Sequence, residues 1–363
     1  MKRFSSLIAT VGAATVAASA LLAPAATAAD LTPQQVAGAT ALSEISDLQV
    51  TPAVANQTWF KKFGNDNRVL KLQATSPSMN GRVIPLAVIP AGEANRPTIY
   101  LLNGAGGAEQ NSDWASLSQA VDFYSNLKVN VVIPQAGAFS YYTDWVDQNP
   151  QGTYVNGPQK WETFLTKELP GPIESRLQAN NKRAIAGMSM SATSALNLAE
   201  HNQGFYDAVG SFAGCAQTSA PAQYQFLRLT VNRANVQPEQ MWGPMGSDYN
   251  RYNDAFLNSE KLRGTELYIS SSTGLASETD LPGYYIARGI DPAVAIAGTT
   301  TLIVEGGVIE AAVNHCTHNL KAKLDQQGIP ADYNFRATGT HSWPGWREDL
   351  EKSWPTFWRA FYA

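Results

Sequence analysis

Charge, cysteine and long apolar runs are all in short supply in this chain. Only 15% of its 363 residues are charged, and the formal net charge is −4. The 26 basic residues are scattered rather than clustered, so the electrostatic footprint of a nucleic-acid binder is missing. Two cysteines are too few for a disulfide-dense mini-fold or a four-thiolate zinc site. Glycine and proline, at 28 and 20 residues, sit near ordinary usage and exclude collagen-like and low-complexity chains. Beyond the N-terminus, no stretch reads as long and apolar enough to span a bilayer. What the chain has in quantity is core material. Its residues are 44% hydrophobic, enough for one large globular domain.

The N-terminus reads as an export signal. Lys2 and Arg3 precede an Ala/Leu/Val-rich run from Leu7 to Leu22, and Ala26-Thr27-Ala28 places small residues where a signal peptidase cuts. A membrane anchor is the alternative; it is disfavoured because the run is short and is followed by Pro24 rather than a basic stop. Removal of residues 1–28 would give an exported protein starting at Ala29, secreted or held in the cell envelope, with any membrane contact peripheral. Residues 29–57 are polar and read as an extension packed on the surface. Residues 58–363 read as one domain, since no Pro/Ser-rich linker divides them.

Within that domain strands alternate with helices. Arg68–Ala74 and Arg82–Ile89 alternate as a hairpin around Ser76–Gly81. Pro97–Leu102 and Val129–Ile133 are short continuous apolar runs, the sign of strands buried on both faces of a parallel sheet. Arg183–Ala186, Ala208–Phe212, Glu266–Ser270 and Asp332–Arg336 add further strands. Helical periodicity covers Trp114–Leu127, Trp161–Leu177 (interrupted at Pro170-Gly171-Pro172), Ser191–His201, Glu310–Gln326 and Gly345–Phe361, with Thr218–Leu262 as a helical insertion. This alternation predicts a mostly parallel α/β sheet flanked by helices.

The chemistry is concentrated at one strand-to-helix turn. Gly187-Met188-Ser189-Met190-Ser191 joins the strand Arg183–Ala186 to the next helix and reads as a G-x-S-x-G nucleophile elbow with serine in the last place. A lone Ser here could equally be a helix N-cap, but the buried strand before it and the Ala-rich helix after it favour the elbow. In an α/β-hydrolase fold the base follows in the chain, near the C-terminus. Of four histidines, His341 in Gly339-Thr340-His341-Ser342-Trp343 has that place. His201 reads as a surface residue. His315 and His318, three apart on one helix, read as a solvated face rather than metal ligands, because no further ligand accompanies them. The oxyanion donors are expected to be the backbone N–H of Met190 and one from the loop Asn103-Gly104-Ala105-Gly106-Gly107, taken as Ala105. As a phosphate loop that segment fails, since no Walker lysine follows.

Six stretches in order then resemble the secreted mycolyltransferases of the antigen 85 type and their corynebacterial relatives. They are Tyr100–Gly104, Phe139–Trp145, Lys160–Leu165, Gly187–Met190, Asn319-Leu320-Lys321 and Gly339–Trp343, spanning roughly residues 97–350. The resemblance implies an α/β-hydrolase fold and an acyltransferase. Such an enzyme moves mycolic acyl chains between trehalose monomycolate, trehalose and cell-wall arabinan through a serine ester, with no cofactor and no metal. It also settles a choice of acid. The fold rule alone would place the acid after Glu266–Ser270, at Glu278 or Asp280. The family pattern places a glutamate at the start of the helix leading to Asn319-Leu320-Lys321, which is Glu310, with Glu305 next best. On that basis substitutions at Glu278 or Asp280 should matter little.

The resemblance further puts Asn103, Gly106, Gln217, Lys321, Ser342 and Trp343 in the substrate region. At three of these positions, Asn103, Gly106 and Gln217, the charged residues of the family's trehalose site are missing, so weakened trehalose affinity is expected. The longer segment Gly274–Ile303 could form a lid over the acyl groove. Cys215 and Cys316 fall on the active-site side of an exported protein, and a bridge between them is preferred to two buried thiols. Two other functions share the fold: a secreted carboxylesterase with water as acceptor, and a non-catalytic wall- or matrix-binding protein.

Overall fold

A computed structural model describes residues 41–363; the expected signal peptide and the first part of the 29–57 extension lie outside the described residues. Nine strands form one sheet: β1 (Ile45–Asp47), β2 (Leu70–Ser76), β3 (Arg82–Ile89), β4 (Thr98–Leu102), β5 (Asn130–Pro134), β6 (Arg183–Met188), β7 (Ala208–Phe212), β8 (Glu266–Ser272) and β9 (Asp332–Arg336). Their order is β1-β2-β3-β5-β4-β6-β7-β8-β9. The first three pair antiparallel, β3 joins β5 antiparallel, and everything beyond is parallel. The continuous apolar strands divide their side chains between two cores. Tyr100, Leu102, Ile185 and Val209 face one side, while Ile99, Leu101, Ala184 and Ala186 face the other, as the two-residue period of a strand requires.

Register fixes where the chemistry can be. Leu102 pairs with Gly187, Met188 with Phe212, Phe212 with Ser270, and Ser272 with Arg336. The carboxyl ends of β4, β6, β7, β8 and β9 are therefore level, and the loops that leave them share one edge of the sheet.

Several elements depart from their sequence reading. The described part of the N-terminal extension does not simply cover the surface: Ile45 pairs with Ala74, adding an edge strand. Trp114–Leu127 is two short helices, Trp114–Leu117 and Ala120–Tyr124, separated at Ser118, whose backbone is extended. The prolines at 170–172 do not break their helix. A π turn over Phe164–Glu168 precedes Pro170, which takes a first-turn position where no N–H is needed. The closing helix is divided into Trp343–Lys352 and Trp354–Tyr362 at Ser353, ahead of Pro355.

The largest departure follows β8. The elbow helix is α1 (Met190–His201). A second helix, α2 (Pro292–Thr301), runs through a π turn at Leu302–Gly306 into a third, α3 (Gly307–Gln327). The sequence reading begins a helix only at Glu310, yet the chain stays helical from Pro292 to Gln327. By length and composition this run is apolar enough to cross a membrane, which corrects the expectation that no such stretch exists. Its C-terminal part, α3, packs Val313, Cys316, Leu320 and Leu324 into the protein.

Cys215, just past β7, is bridged to Cys316 on α3, across a sequence separation of 101 residues. The bridge ties the helix that carries Glu310 to the carboxyl end of β7, next to the strand that leads into the elbow. Closing a loop of about 100 residues stabilises by up to roughly 4–5 kcal/mol in the chain-entropy model. Reduction should accordingly lower the free energy of unfolding measured in urea by up to a comparable amount. Denaturing alkylation of unreduced protein should find no free thiol, and two labelled cysteines would exclude the bridge.

Candidate active site

Gly187 allows the elbow to form. A Cβ on Gly187 would lie 2.4 Å from the carbonyl oxygen of Ser191, so only glycine lets strand and helix pass this closely. Ser189 takes the strain, with φ 57° and ψ −122°, a conformation non-glycine residues adopt only when their surroundings impose it. Ser191 helps impose it. Its buried Oγ accepts the Met188 N–H (3.0 Å) and lies 2.9 Å from the carbonyl of Leu102 at the end of β4. Serine in the last place of the elbow motif is thus a structural pin between the turn and the neighbouring loop.

Ser189 Oγ is 2.7 Å from Nε2 of His341, and Nδ1 of that ring is 2.7 Å from Oε2 of Glu310. A carboxylate can only accept, so Nδ1 donates to Glu310 and Nε2 is left to accept the serine proton. The other oxygen, Oε1 of Glu310, accepts the backbone N–H of Ser272 at 2.6 Å, and Arg336 donates from Nε to Ser272 Oγ at 2.8 Å. Arg336 is in turn fixed by Asp349 at 2.7 Å. Glu310 is only 1% exposed in its side chain and His341 9%, so this line of hydrogen bonds is nearly shut off from water at the acid end. Trp346 meets the His341 ring edge-on at 5.0 Å.

The π turn before α3 has a local purpose. Its last carbonyl, on Gly306, accepts the His341 N–H at 3.1 Å, and Gly339 and Leu275 hydrogen-bond at 2.6 Å. Asp280 completes the hold on this loop. One of its oxygens accepts from Thr340 Oγ1 (2.8 Å) and Ser342 Oγ (3.0 Å), the other from the Thr340 N–H (3.2 Å) and Ser277. Burial pushes the Asp280 carboxyl up, but these donors outweigh it and hold it below the ordinary value. The sequence reading gave Asp280 no part in the site; in the structure it grips both residues that flank His341. The spacing Ser277-x-x-Asp280, a capping box in the structure, was the signal available for it.

The glycine-rich loop after β4 lies against the elbow. A Cβ on Gly104 would sit 3.6 Å from Met188. The Ala105 carbonyl accepts the Phe139 N–H at 2.8 Å. Glu109, whose carboxyl burial pushes up to about 7, accepts the Ala138 N–H at 2.7 Å. Among the described residues, neither Ala105 N–H nor Met190 N–H is given to a protein acceptor.

The expected sugar-contact positions scatter. Asn103 is fully buried, and its amide joins the Pro134 carbonyl to the Trp114 N–H, both at 2.9 Å; it is a structural peg with no face for a ligand. Gly106 packs on Gln110. Gln217 accepts from Asn319 at 3.1 Å. Lys321 lies eleven residues along α3 from Glu310, about 16 Å by helical rise, where it pairs with Asp325 and covers the Tyr333 ring. Ser342 is taken by Asp280, as described above. Trp343 lines a cavity of about 450 Å³ beside His341, together with Tyr284, Tyr285, Leu302 and Trp346. The first three of those wall residues belong to the segment Gly274–Ile303 that was expected to lie over the acyl groove, though none was singled out by number. His201 is not at the surface: its side chain is 1% exposed and bonded to Glu162. Among the described residues no group of His, Cys, Asp and Glu is arranged to hold a metal ion.

A mostly parallel sheet with a serine on a strained strand–helix turn, followed by an acid and a late histidine, defines the α/β-hydrolase class. The esterase family model matches residues 76–357. The diacylglycerol acyltransferase/mycolyltransferase Ag85A of Mycobacterium tuberculosis is 31% identical over 296 residues, covering 80% of this chain and 81% of that protein. Ag85B of Mycobacterium leprae is 29% identical over 294 residues, covering 78% and 81%. The chain belongs to the esterase family and, within it, to the antigen 85 group of acyltransferases. The crystal structure of Mycobacterium tuberculosis MPT51 (FbpC1) has the same fold at a TM-score of 0.65 and 21% identity, covering 81% of this chain and 98% of that one. An S-formylglutathione hydrolase from Agrobacterium tumefaciens does so at 0.55 and 15%, covering 81% and 96%.

Two substitutions separate the roles of the two carboxylates. Glu310→Gln should lower kcat by about three to four orders of magnitude through loss of the imidazole's partner. Asp280→Asn should cost roughly tenfold in kcat, together with about 1–3 kcal/mol of stability. Steady-state kinetics beside thermal melts would distinguish them, and an Asp280 variant crippled more deeply than the Glu310 variant would reverse the assignment.

Proposed function

We propose that this protein transfers mycolic acyl chains from trehalose monomycolate to trehalose or cell-wall arabinan hydroxyls through an ester on Ser189. The observation that carries the reading is the hydrogen-bonded line Ser189–His341–Glu310 in a chain 31% identical to a mycolyltransferase. Ser189 Oγ attacks the ester carbonyl carbon of the donor while His341 Nε2 takes its proton. The N–H groups of Met190 and Ala105 receive the oxyanion, each such donor being worth about 10²–10³ in rate. The tetrahedral intermediate collapses, the C–O bond to the sugar breaks, and His341 returns the proton to the departing trehalose oxygen. The acceptor hydroxyl then gives its proton to His341 and attacks the acyl-enzyme, and the same steps run in reverse. Glu310 stabilises the imidazolium in both halves without taking the proton. The N-terminal run that reads as an export signal supports a site of action in the cell envelope, among lipids that carry such chains.

Water is the competing acceptor, and the family model's esterase description favours it as the second reading. The wall of Trp343, Trp346, Tyr284, Tyr285 and Leu302 beside His341 supports transfer, because an apolar surround disfavours a loosely held water against a sugar hydroxyl bound in place. Since Asn103 is buried and Gly106 and Gln217 carry no charge, sugar recognition here rests on other groups, with Trp343 the first candidate.

Incubation with trehalose monomycolate should yield mainly trehalose dimycolate and little free mycolic acid. Ser189→Ala should abolish both products, a loss of about 10⁴-fold or more, with the fold retained. Free acid as the main product would establish the esterase reading, and an active Ser189→Ala variant would remove this serine from the mechanism.

A further inference from the structure

The segment from Leu275 to Ile309 has an unusual surface. No charged side chain occurs between Pro292 and Val304, and apolar residues occupy every side of α2. Of its ten residues only Ala295 and Thr299 are buried. Val294 is 63% exposed, Ile296 54%, Val304 60% and Val308 70%. The preceding turn adds Leu281, Ile286 and Ile290, all more than two-fifths exposed. A helix that is apolar all round belongs inside a protein or in lipid, and contiguous exposed apolar surface of this kind marks an interaction site.

We infer that this α2 segment is a lipid-docking surface, by which the protein seats itself on the fluid hydrocarbon of a lipid layer. Three observations select that occupant. First, the surface is continuous with the cavity at His341: Tyr284, Tyr285 and Leu302, from the same segment, form one wall of it. That wall offers a chain leaving the layer an apolar side along which to reach the site, beside the polar lining residues Ser112, Ser342 and Arg347. A second protein copy seated on that segment would cover it instead. Second, a rigid partner covers one face of a helix, whereas fluid acyl chains surround all the sides that α2 presents. Third, the surface offers no basic cluster for anionic headgroups. Arg288 is stacked on the Tyr284 ring at 3.5 Å, and Glu305 is the one charge between Pro292 and Ile309. Docking is then driven by apolar burial and not by charge. Only the passage of the acyl chain toward Ser189 rests on the proposed function; docking itself does not.

The test is flotation of the protein with zwitterionic phosphatidylcholine vesicles at low and high salt. The protein should float at both. The fourfold variant Val294→Gln, Ile296→Gln, Val304→Gln and Val308→Gln, which places a good helix former at exposed sites, should partition at least about tenfold more weakly. Turnover of a short-chain soluble ester should be the same in both, which shows that the variant is folded and its serine site intact. If that ester is not turned over even by the unaltered protein, the proposed function fails while the flotation result still stands. Failure of the unaltered protein to float, equal flotation of the variant, or binding that high salt abolishes would overturn the inference. So would a dimer in sedimentation equilibrium that the four substitutions dissociate, with no vesicle binding.

Discussion

The site depends on one imidazole ring held at both nitrogens. His341 contacts Glu310 on one side and Ser189 on the other, each at 2.7 Å, and the three residues come from three separate stretches of chain. Hydrogen bonds of this length tolerate little misplacement, so the rest of the fold can be understood as what keeps three chain segments level. The parallel register does this for Ser189, by ending β4 and β6 together. The Cys215–Cys316 bridge does it for the helix bearing Glu310. The loop of His341 has its own anchors, Asp280 and the Gly306 carbonyl.

Each anchor has a local cost that something nearby offsets. Ser189 is held in a strained backbone conformation, of order 1–3 kcal/mol for such a residue, and Ser191, bonded to both the turn and β4, restrains it there. The π turn at Leu302–Gly306 gives up regular helical hydrogen bonding, and the carbonyl of Gly306 goes to His341. Glu310 and Asp349 are buried carboxylates, which are costly unless fully bonded. The Ser272 N–H and the His341 ring meet the first. Arg336, Tyr268 and Asn334 all donate to Oδ1 of the second and leave its buried Oδ2 without a partner among the described residues. Chemistry and stability therefore draw on the same few groups, and little of the loop edge can be altered without touching the imidazole.

How much of this was legible in the sequence varies with the kind of signal. Buried parallel strands announce themselves as short apolar runs, and Pro97–Leu102 and Ala208–Phe212 lie where they read. The Gly187–Ser191 turn was legible because sterics restrict its residue types. Glu310 was not legible from fold logic, which points to Glu278 or Asp280; only the resemblance to a family separated it from them. The continuous helix from Pro292 to Gln327 was not legible ahead of Glu310, since residues 292–304 are apolar on every side and lack a helical stripe, and the π turn at Leu302–Gly306 has no sequence signature. Asn103 misled for a different reason. Alignment put it in the sugar site, but an uncharged amide there satisfies two buried backbone groups instead, and burial cannot be read from one residue's identity. Lys321 likewise matches a family motif while lying about three helical turns from Glu310.

The proposed transfer requires an acyl chain that resides covalently on Ser189 and leaves faster to a sugar than to water. Intact-protein mass measurement after rapid mixing with an acyl-trehalose donor, followed by peptide mapping, addresses it directly. The account predicts a mass gain of one acyl chain on the peptide containing Ser189, discharged more rapidly when trehalose is added than in buffer alone. No adduct, an adduct on another residue, or a discharge rate indifferent to trehalose would contradict it.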